Sequence, residues 1–148
     1  MGNTKGSDMA WIWMLSRRMP FYKHLGMQLV KLSRGRAEMR VEVTKGLTQD
    51  AGVAHGGVAA TLIDSSVGLA VCTLLKPNET TTTVEMKLNF TAPAKPGRLR
   101  ATARIIQRGK RIIVGEAEVR DRKRTLIAKG LVTYIILENQ RRKLLNLS

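Results

Sequence analysis

A long apolar segment of the chain reads VAATLIDSSVGLAVCTLL and occupies positions 58–75. Its eighteen residues are enough to cross a bilayer, but an ionised Asp64 near the middle would be costly in lipid. The Ala and Leu content, and the Lys76-Pro77-Asn78 sequence that follows, favour a helix that ends near Lys76. A helix that is apolar on almost all sides must be covered by other elements. We therefore expect a buried central helix and no membrane span.

Extended structure is predicted around this helix. Apolar and polar residues alternate at 37–43, which indicates a half-buried strand, and the same pattern recurs after the helix between turn residues. The predicted strands are 29–32, 37–43, 83–90, 99–105, 113–119 and 126–137, and a short amphipathic helix at 9–19, ended by Pro20, precedes them. One helix against about six antiparallel strands is an α+β fold, in which a curved sheet wraps the helix.

The length of 148 residues is that of one domain, and neither a repeat nor a linker divides the chain. We expect a single domain over 1–148, with a helical extension at 1–20 and a charged tail at 138–148. Cys72 is the only cysteine, which excludes an internal disulfide and a cysteine-based zinc site, and we expect no metal. The early apolar run at 9–15 is too short for a secretory signal, so we expect a cytoplasmic protein.

Asp64 is the only formally charged residue between positions 51 and 75. A buried carboxylate is costly unless it has a partner. One interpretation makes Asp64 a structural group at a subunit boundary, hydrogen-bonded to Thr61, Ser65 or a neighbour. The other makes it the general base or nucleophile of an enzyme, because reactive carboxylates are often held in apolar surroundings.

His55-Gly56-Gly57 lies where a polar, Gly-rich loop becomes the central helix. The first N–H groups of a helix have no intrahelical partner and carry the positive end of the helix dipole, so they can stabilise an oxyanion. Glycine lets another group approach this backbone closely. His55 can act as a catalytic residue or, the interpretation we favour, as a structural residue that orients the loop.

The spacing between Gly56 and Asp64 has a consequence for assembly. Eight helical positions correspond to roughly 12 Å at about 1.5 Å per residue, so the two residues cannot touch the same carbonyl group. If both act on one substrate, they come from different subunits. The sequence therefore predicts a dimer with shared sites.

Several segments together resemble the hot dog fold acyl-CoA thioesterases of the phenylacetate-degradation type. They are QDAGVAHGG at 49–57, Asp64 nine positions after the histidine, TVEMKLNF at 83–90, Pro93, Gly97 and Gly109-Lys110, and the resemblance covers 21–137. It implies a hot dog fold, hydrolysis of an acyl-CoA thioester and a homo-oligomer, either a dimer or a dimer of dimers. No cofactor is implied, because coenzyme A is part of the substrate and product.

The resemblance also implies roles for individual residues. Asp64 would attack the thioester or activate water, and the N–H of Gly56, with Gly57 adjacent, would polarise the carbonyl from the partner subunit. The side-chain amide of Gln49 would assist, although the family often has Asn at this position. Thr83 matches a position where some members carry a hydroxyl that helps to place the attacking water.

The net charge of +15 invites an anionic partner. The stretch 98–124 contains ten Lys and Arg residues against three acidic ones. Most of them fit a solvated outer face of the sheet, while Lys110 and Arg111, at a predicted hairpin turn, are by resemblance our candidates to bind the phosphates of coenzyme A. Only Tyr134 among the aromatic residues lies beyond Phe90, so no stacking platform for nucleic acid accompanies the charge.

Two other classes of function stay open. An acyl-CoA lyase or dehydratase on the same fold would use a histidine as its main acid or base, and the chain has only His24 and His55. A non-catalytic acyl-CoA sensor or a basic nucleic-acid-binding module would not need Asp64. The thioesterase-like context of His55 counts against the first class, and the intact Asp64 counts against the second.

Overall fold

The computed structural model describes residues 9–138, in which one long helix packs against a six-stranded antiparallel sheet. In chain order the elements are α1 (Ala10–Arg18), α2 (Pro20–Leu25), β1 (Gln28–Ser33), β2 (Arg36–Val43), a 3-10 turn (Lys45–Leu47), α3 (Gly56–Cys72), β3 (Glu79–Phe90), β4 (Gly97–Arg108), β5 (Ile112–Asp121) and β6 (Leu126–Glu138). This order confirms the predicted α+β architecture and the predicted number of strands.

The N-terminal helix differs from the prediction. Pro20 does not simply end a helix over 9–19; it begins a second one, α2, after a single extended residue, Met19. Proline is favoured at the first helical position, where its missing N–H would have no partner in any case. Gly26 then ends α2 with a left-handed backbone (φ 72°).

The central helix α3 is displaced from its predicted bounds. It begins two residues earlier than 58, because His55 caps it by accepting a hydrogen bond from the N–H of Gly57 (2.9 Å). It ends at Cys72, where the hydroxyl of Thr73 donates to the carbonyl of Ala70 (2.7 Å). The same hydroxyl accepts from the N–H of Gly35 in the β1–β2 turn (2.7 Å), which ties the end of the helix to the sheet.

The strands follow the order β1-β2-β4-β5-β6-β3 across the sheet. β3 pairs with β6 alone among the described strands and forms one edge. It begins four residues before the predicted position 83, because the preceding threonines continue the strand. The pairing with β6 slips between Thr83 and Glu85, which leaves Val84 as a bulge.

The core lies between α3 and the inner face of the sheet. Leu62, Ile63 and Val67 of α3 are completely buried, as are Met39 and Val132 on the strands. The helix is not wrapped on all sides, however. One stripe along it stays partly or fully exposed and consists of Gly57, Ala60, Thr61, Asp64 and Gly68.

The structure describes the two ends of the predicted domain only in part. Glu138, predicted to start the charged tail, is the last residue of β6, and positions 139–148 lie outside the described residues, as do 1–8 of the predicted extension. Within 9–138, the helices are too short or too polar to span a bilayer.

Close contact between α3 and β5 requires a glycine at position 115. A Cβ atom there would lie 2.6 Å from Cγ1 of Val67 and 3.2 Å from the carbonyl oxygen of Arg104. We expect Gly115→Ala to lower the free energy of unfolding by about 1–3 kcal/mol through overpacking. Chemical denaturation measures the change, and Gly46→Ala, where a Cβ meets nothing within 4 Å, is the control. Equal stability of the two variants would contradict this account of the core.

Candidate active site

The carboxylate of Asp64 lies on the exposed stripe of α3, about midway along the helix, and its side chain is held from the sheet. Oδ1 accepts hydrogen bonds from the hydroxyls of Thr83 on β3 and Tyr134 on β6, both at 2.9 Å. Of the predicted alternatives within the helix, Thr61 instead donates to the carbonyl of Gly57 (2.8 Å). Asp64 and Thr83, both predicted site residues, are therefore brought together.

The second oxygen of this carboxylate accepts no hydrogen bond from residues 9–138. Because both hydroxyls bind one oxygen, the rotamer of Asp64 is fixed while the other oxygen is available to a water molecule or a substrate. This arrangement suits a general base or a nucleophile.

Tyr134 is a site residue that sequence reasoning missed. Its hydroxyl lies 2.7 Å from the main-chain oxygen of Asp64 as well as 2.9 Å from Oδ1, so it bridges the backbone and the side chain of one residue. Gly68 makes room for it, since a Cβ atom there would come within 2.6 Å of the hydroxyl oxygen. Burial strongly raises the pKa of Tyr134, which keeps the hydroxyl protonated as a donor.

One signal in the sequence points to Tyr134. It falls on the inward-facing side of the last strand between Val132 and Ile136, where a hydroxyl must find a partner. Its partner is seventy positions away in the sequence, and periodicity cannot pair residues over that distance.

The start of α3 forms a second cluster. Gly56 is the first helical residue, and its N–H donates to none of the described residues, whereas the N–H of Gly57 is bound by Nδ1 of His55. The N–H without a partner among residues 9–138 is thus that of Gly56 rather than that of Gly57. The ring of His55 caps the helix, and the N–H of His55 donates to the carbonyl of Leu47 (2.9 Å).

Gln49 lies in the loop that leads to this helix. The loop is closed by hydrogen bonds from the N–H of Gln49 to Val53 and from Gly52 to Gln49, each 2.9 Å, with Gly52 in the left-handed region (φ 74°). Gln49, His55, Gly56 and Phe90 line a cavity of about 400 Å³ beside the helix start. The remaining lining residues are mostly apolar.

The two clusters are separate within one chain. Thr83 and Tyr134 hold Asp64, while Gln49, His55 and Gly56 share the cavity, and eight positions of helix lie between them. Since α3 is continuous from Gly56 to Cys72, this corresponds to roughly 12 Å along the helix.

Lys110 and Arg111 lie at the β4–β5 hairpin, which the N–H of Gly109 closes by donating to Ile112 (2.8 Å). Both side chains are exposed and form no ion pair with residues 9–138. The hairpin lies near the start of β3, to which the pair Arg108–Glu79 (3.2 Å) connects it. It is therefore at the opposite end of β3 from the Gly56 cavity.

Most of the basic stretch 98–124 is neutralised on the outer face of the sheet. Six of its ten cations form ion pairs within the described residues: Arg98, Arg100, Arg104, Arg108, Arg120 and Arg122. These ion pairs account for most of the positive charge of the stretch without a ligand. Four cations of the stretch are left, and two of them are Lys110 and Arg111.

Comparison with known proteins gives the class to which this arrangement belongs. Residues 51–128 match the thioesterase superfamily. A structure of a thioesterase family protein from Silicibacter pomeroyi superimposes with a TM-score of 0.84 at 28% identity, over 89% of this chain and 99% of that one. The chain belongs to the thioesterase superfamily and has the hot dog fold.

Two relatives indicate the kind of chemistry in the family. The putative esterase SSO1253 of Saccharolobus solfataricus is 31% identical over 82% of this chain and 81% of its own length. The 1,4-dihydroxy-2-naphthoyl-CoA hydrolase of Listeria monocytogenes is 26% identical over 79% and 95%. Thioester hydrolysis is the reaction class that these similarities support.

The raised pKa of Tyr134 predicts an alkaline instability. An exposed tyrosine in the unfolded chain ionises near pH 10, whereas the folded protein retains that proton. The free energy of unfolding therefore falls as the pH rises above about 10, and Tyr134→Phe should make this fall shallower by up to about 1.4 kcal/mol per pH unit. Denaturant titrations between neutral and alkaline pH measure both slopes. Identical slopes would show that Tyr134 ionises equally easily in the folded state.

Proposed function

We propose that the protein hydrolyses an acyl-CoA thioester to the free acid and coenzyme A. The observation that carries the proposal is the presence, on one helix, of a fixed, partly exposed carboxylate at Asp64 and of an N–H at Gly56 that has no partner among residues 9–138. Hydrolysis of a thioester needs a group that activates the nucleophile and a donor for the oxyanion. Membership of the thioesterase superfamily supports the same reaction.

Asp64 acts as the general base or the nucleophile. As a base, its free oxygen takes a proton from water while the water oxygen bonds to the thioester carbon. The tetrahedral intermediate then expels the thiolate of coenzyme A, which takes up the proton. Thr83 and Tyr134 keep the carboxylate oriented through Oδ1, and the hydroxyl of the exposed Thr83 would also help to place the attacking water.

Gly56 supplies the main N–H to the developing oxyanion, reinforced by the positive end of the α3 dipole. Gln49, which lines the same cavity, assists through its side-chain amide. Gly57 and His55 act indirectly, because their hydrogen bond fixes the turn that presents the N–H of Gly56.

Each active site combines Asp64 of one subunit with Gly56 of another. The roughly 12 Å between them along one helix exceeds the reach of a single carbonyl group. The exposed stripe of α3 and the open edge of β3, with Val84 and Met86 about half exposed, offer a surface on which a second copy can pack. We propose a homodimer with two shared sites, which can pair further into a dimer of dimers.

Lys110 and Arg111 bind the phosphates of coenzyme A in this proposal, supported by their exposure and lack of ion pairs among residues 9–138. The resemblance of the 49–57 and 83–90 segments to the phenylacetate-degradation type is the basis for proposing that branch. A CoA thioester as substrate is consistent with the Listeria hydrolase named above.

The role of Gly56 can be tested by removal of a single hydrogen-bond donor. Proline is well accommodated at the first position of a helix, and His55 already has the extended backbone (φ −62°, ψ 138°) that a residue before proline requires. Gly56→Pro should lower kcat by about 100- to 1000-fold, the loss typical of one oxyanion donor. Steady-state hydrolysis of acyl-CoA substrates measures it.

Gly56→Ala is the matched control. It adds the same Cβ, 3.3 Å from Cε1 of Phe90, but keeps the N–H. If the alanine and proline variants lose equal activity, the loss is steric and the N–H is not the donor.

The shared site is tested by mixing two inactive variants. Asp64→Asn should reduce kcat at least ~100-fold, since it removes the base while preserving shape. When Asp64→Asn and Gly56→Pro subunits exchange at random, half of the dimers are mixed and one of their two sites is intact, so about a quarter of the wild-type activity should return.

Subunit exchange must be shown independently, for example by native mass spectrometry of the mixture. If mixed dimers form and no activity returns, each site lies within one chain and the shared arrangement is wrong. A mixture of two differently labelled Asp64→Asn proteins gives the baseline, because their subunits exchange but no intact site can form.

A further inference from the structure

The first helix, α1, has two apolar faces. Ile12 and Ser16 are buried against the rest of the protein, as expected for a helix packed on a sheet. On the outward face, Trp11, Met14 and Leu15 follow at the i, i+3, i+4 spacing of one helix side and are 45%, 49% and 39% exposed. The outer face of a surface helix is normally polar.

Phe21, the second residue of α2, adds a further exposed aromatic ring (53%) three residues after α1 ends. Exposed apolar patches of this kind mark interaction sites rather than ordinary surface. Aromatic residues of the Trp type favour the boundary between water and lipid.

The charged residues of the chain segment that carries this patch have one sign over 9–37. No acidic residue occurs between Asp8 and Glu38, while Arg17, Arg18 and Lys23 lie in α1 and α2. All three are exposed, and none forms an ion pair with residues 9–138. These free cations contrast with the outer sheet face, where most cations are paired.

We propose that the outward face of α1 is a docking site for the surface of an anionic lipid bilayer. The helix lies in the plane of the interface, with Trp11, Met14 and Leu15 among the lipid headgroups and acyl boundary and the arginines on the headgroup charges. Insertion of the apolar side chains and electrostatic attraction to the headgroups then act together. A surface with charges of one sign but no apolar side chains would provide only the attraction. A protein partner would need a matching acidic, apolar groove, whereas a bilayer supplies both properties over its whole surface.

The chain carries its own probe for this site. Its two tryptophans, Trp11 and Trp13, both lie in α1. Full-length protein titrated with vesicles of phosphatidylcholine and phosphatidylglycerol should show a blue shift of tryptophan emission. When the lipids of these vesicles carry brominated acyl chains, the emission should be quenched. Vesicles of phosphatidylcholine alone should produce neither effect. An unchanged spectrum with anionic vesicles, or an equal response to both lipids, would overturn the proposal.

Two double variants separate the components while keeping both tryptophans. Arg17→Gln with Arg18→Gln should weaken vesicle binding at least about tenfold, given the contribution of each cation near a charged surface. Met14→Gln with Leu15→Gln should abolish the blue shift, and glutamine preserves the helix. Circular dichroism confirms that the variants fold.

The matched control is Lys95→Gln with Lys123→Gln, which removes the same charge from exposed lysines without ion pairs in the described region. It should leave binding within about twofold of the wild type. A loss equal to that of the arginine variant would mean that the total charge, not α1, attracts the vesicle. If Met14→Gln with Leu15→Gln changes the oligomeric state by light scattering, the face is a subunit contact, and the lipid proposal is wrong.

Discussion

Burial of α3 against the sheet is the constraint on which the rest of the structure depends. Ten of its seventeen residues are buried, and the helix contributes no charged group to the core. The sheet covers it so closely that glycines are needed at 115 and 130, where a Cβ would lie 2.6 Å from Val67 and 3.1 Å from Ile63 of the helix respectively. A carboxylate can be placed on such a helix only along the stripe that the sheet leaves open, and Asp64 lies there.

That position explains why the proposed site is divided between two subunits. A buried helix can present reactive groups at two kinds of position. One is its N-terminus, where the N–H groups have no intrahelical partner, and the other is its exposed side, where a polar side chain can remain in contact with water. In α3 these places are Gly56 and Asp64, and the straight helix between them keeps them apart. A compact site then needs a second helix alongside, so the same rigidity that orders each half favours assembly from two subunits.

The sequence predicted the parts of the fold that depend on local pattern. The alternation of apolar and polar residues located the strands, and the apolar run at 58–75 located the central helix. Both patterns follow directly from which side chains are buried. It did not locate α2, because Pro20 fits a helix start as well as a helix end, nor the true start of α3, which depends on a cap by His55. Asp64 was selected as a candidate by its contrast with its apolar surroundings and Gly56 by its place at the helix start, whereas Tyr134 was missed because its contact with Asp64 spans seventy residues.

The distribution of charge separates structural cations from available ones. A net charge of +15 on 148 residues opposes compaction by self-repulsion, so unpaired cations at the surface need a reason beyond stability. On the central strands the reason is local, since Arg98, Arg100 and Arg104 each face a carboxylate on a neighbouring strand. By contrast, Lys110 and Arg111 of the hairpin and the cations of α1 form no ion pair within residues 9–138. Cations beside exposed apolar side chains are suited to anions that carry a hydrocarbon chain.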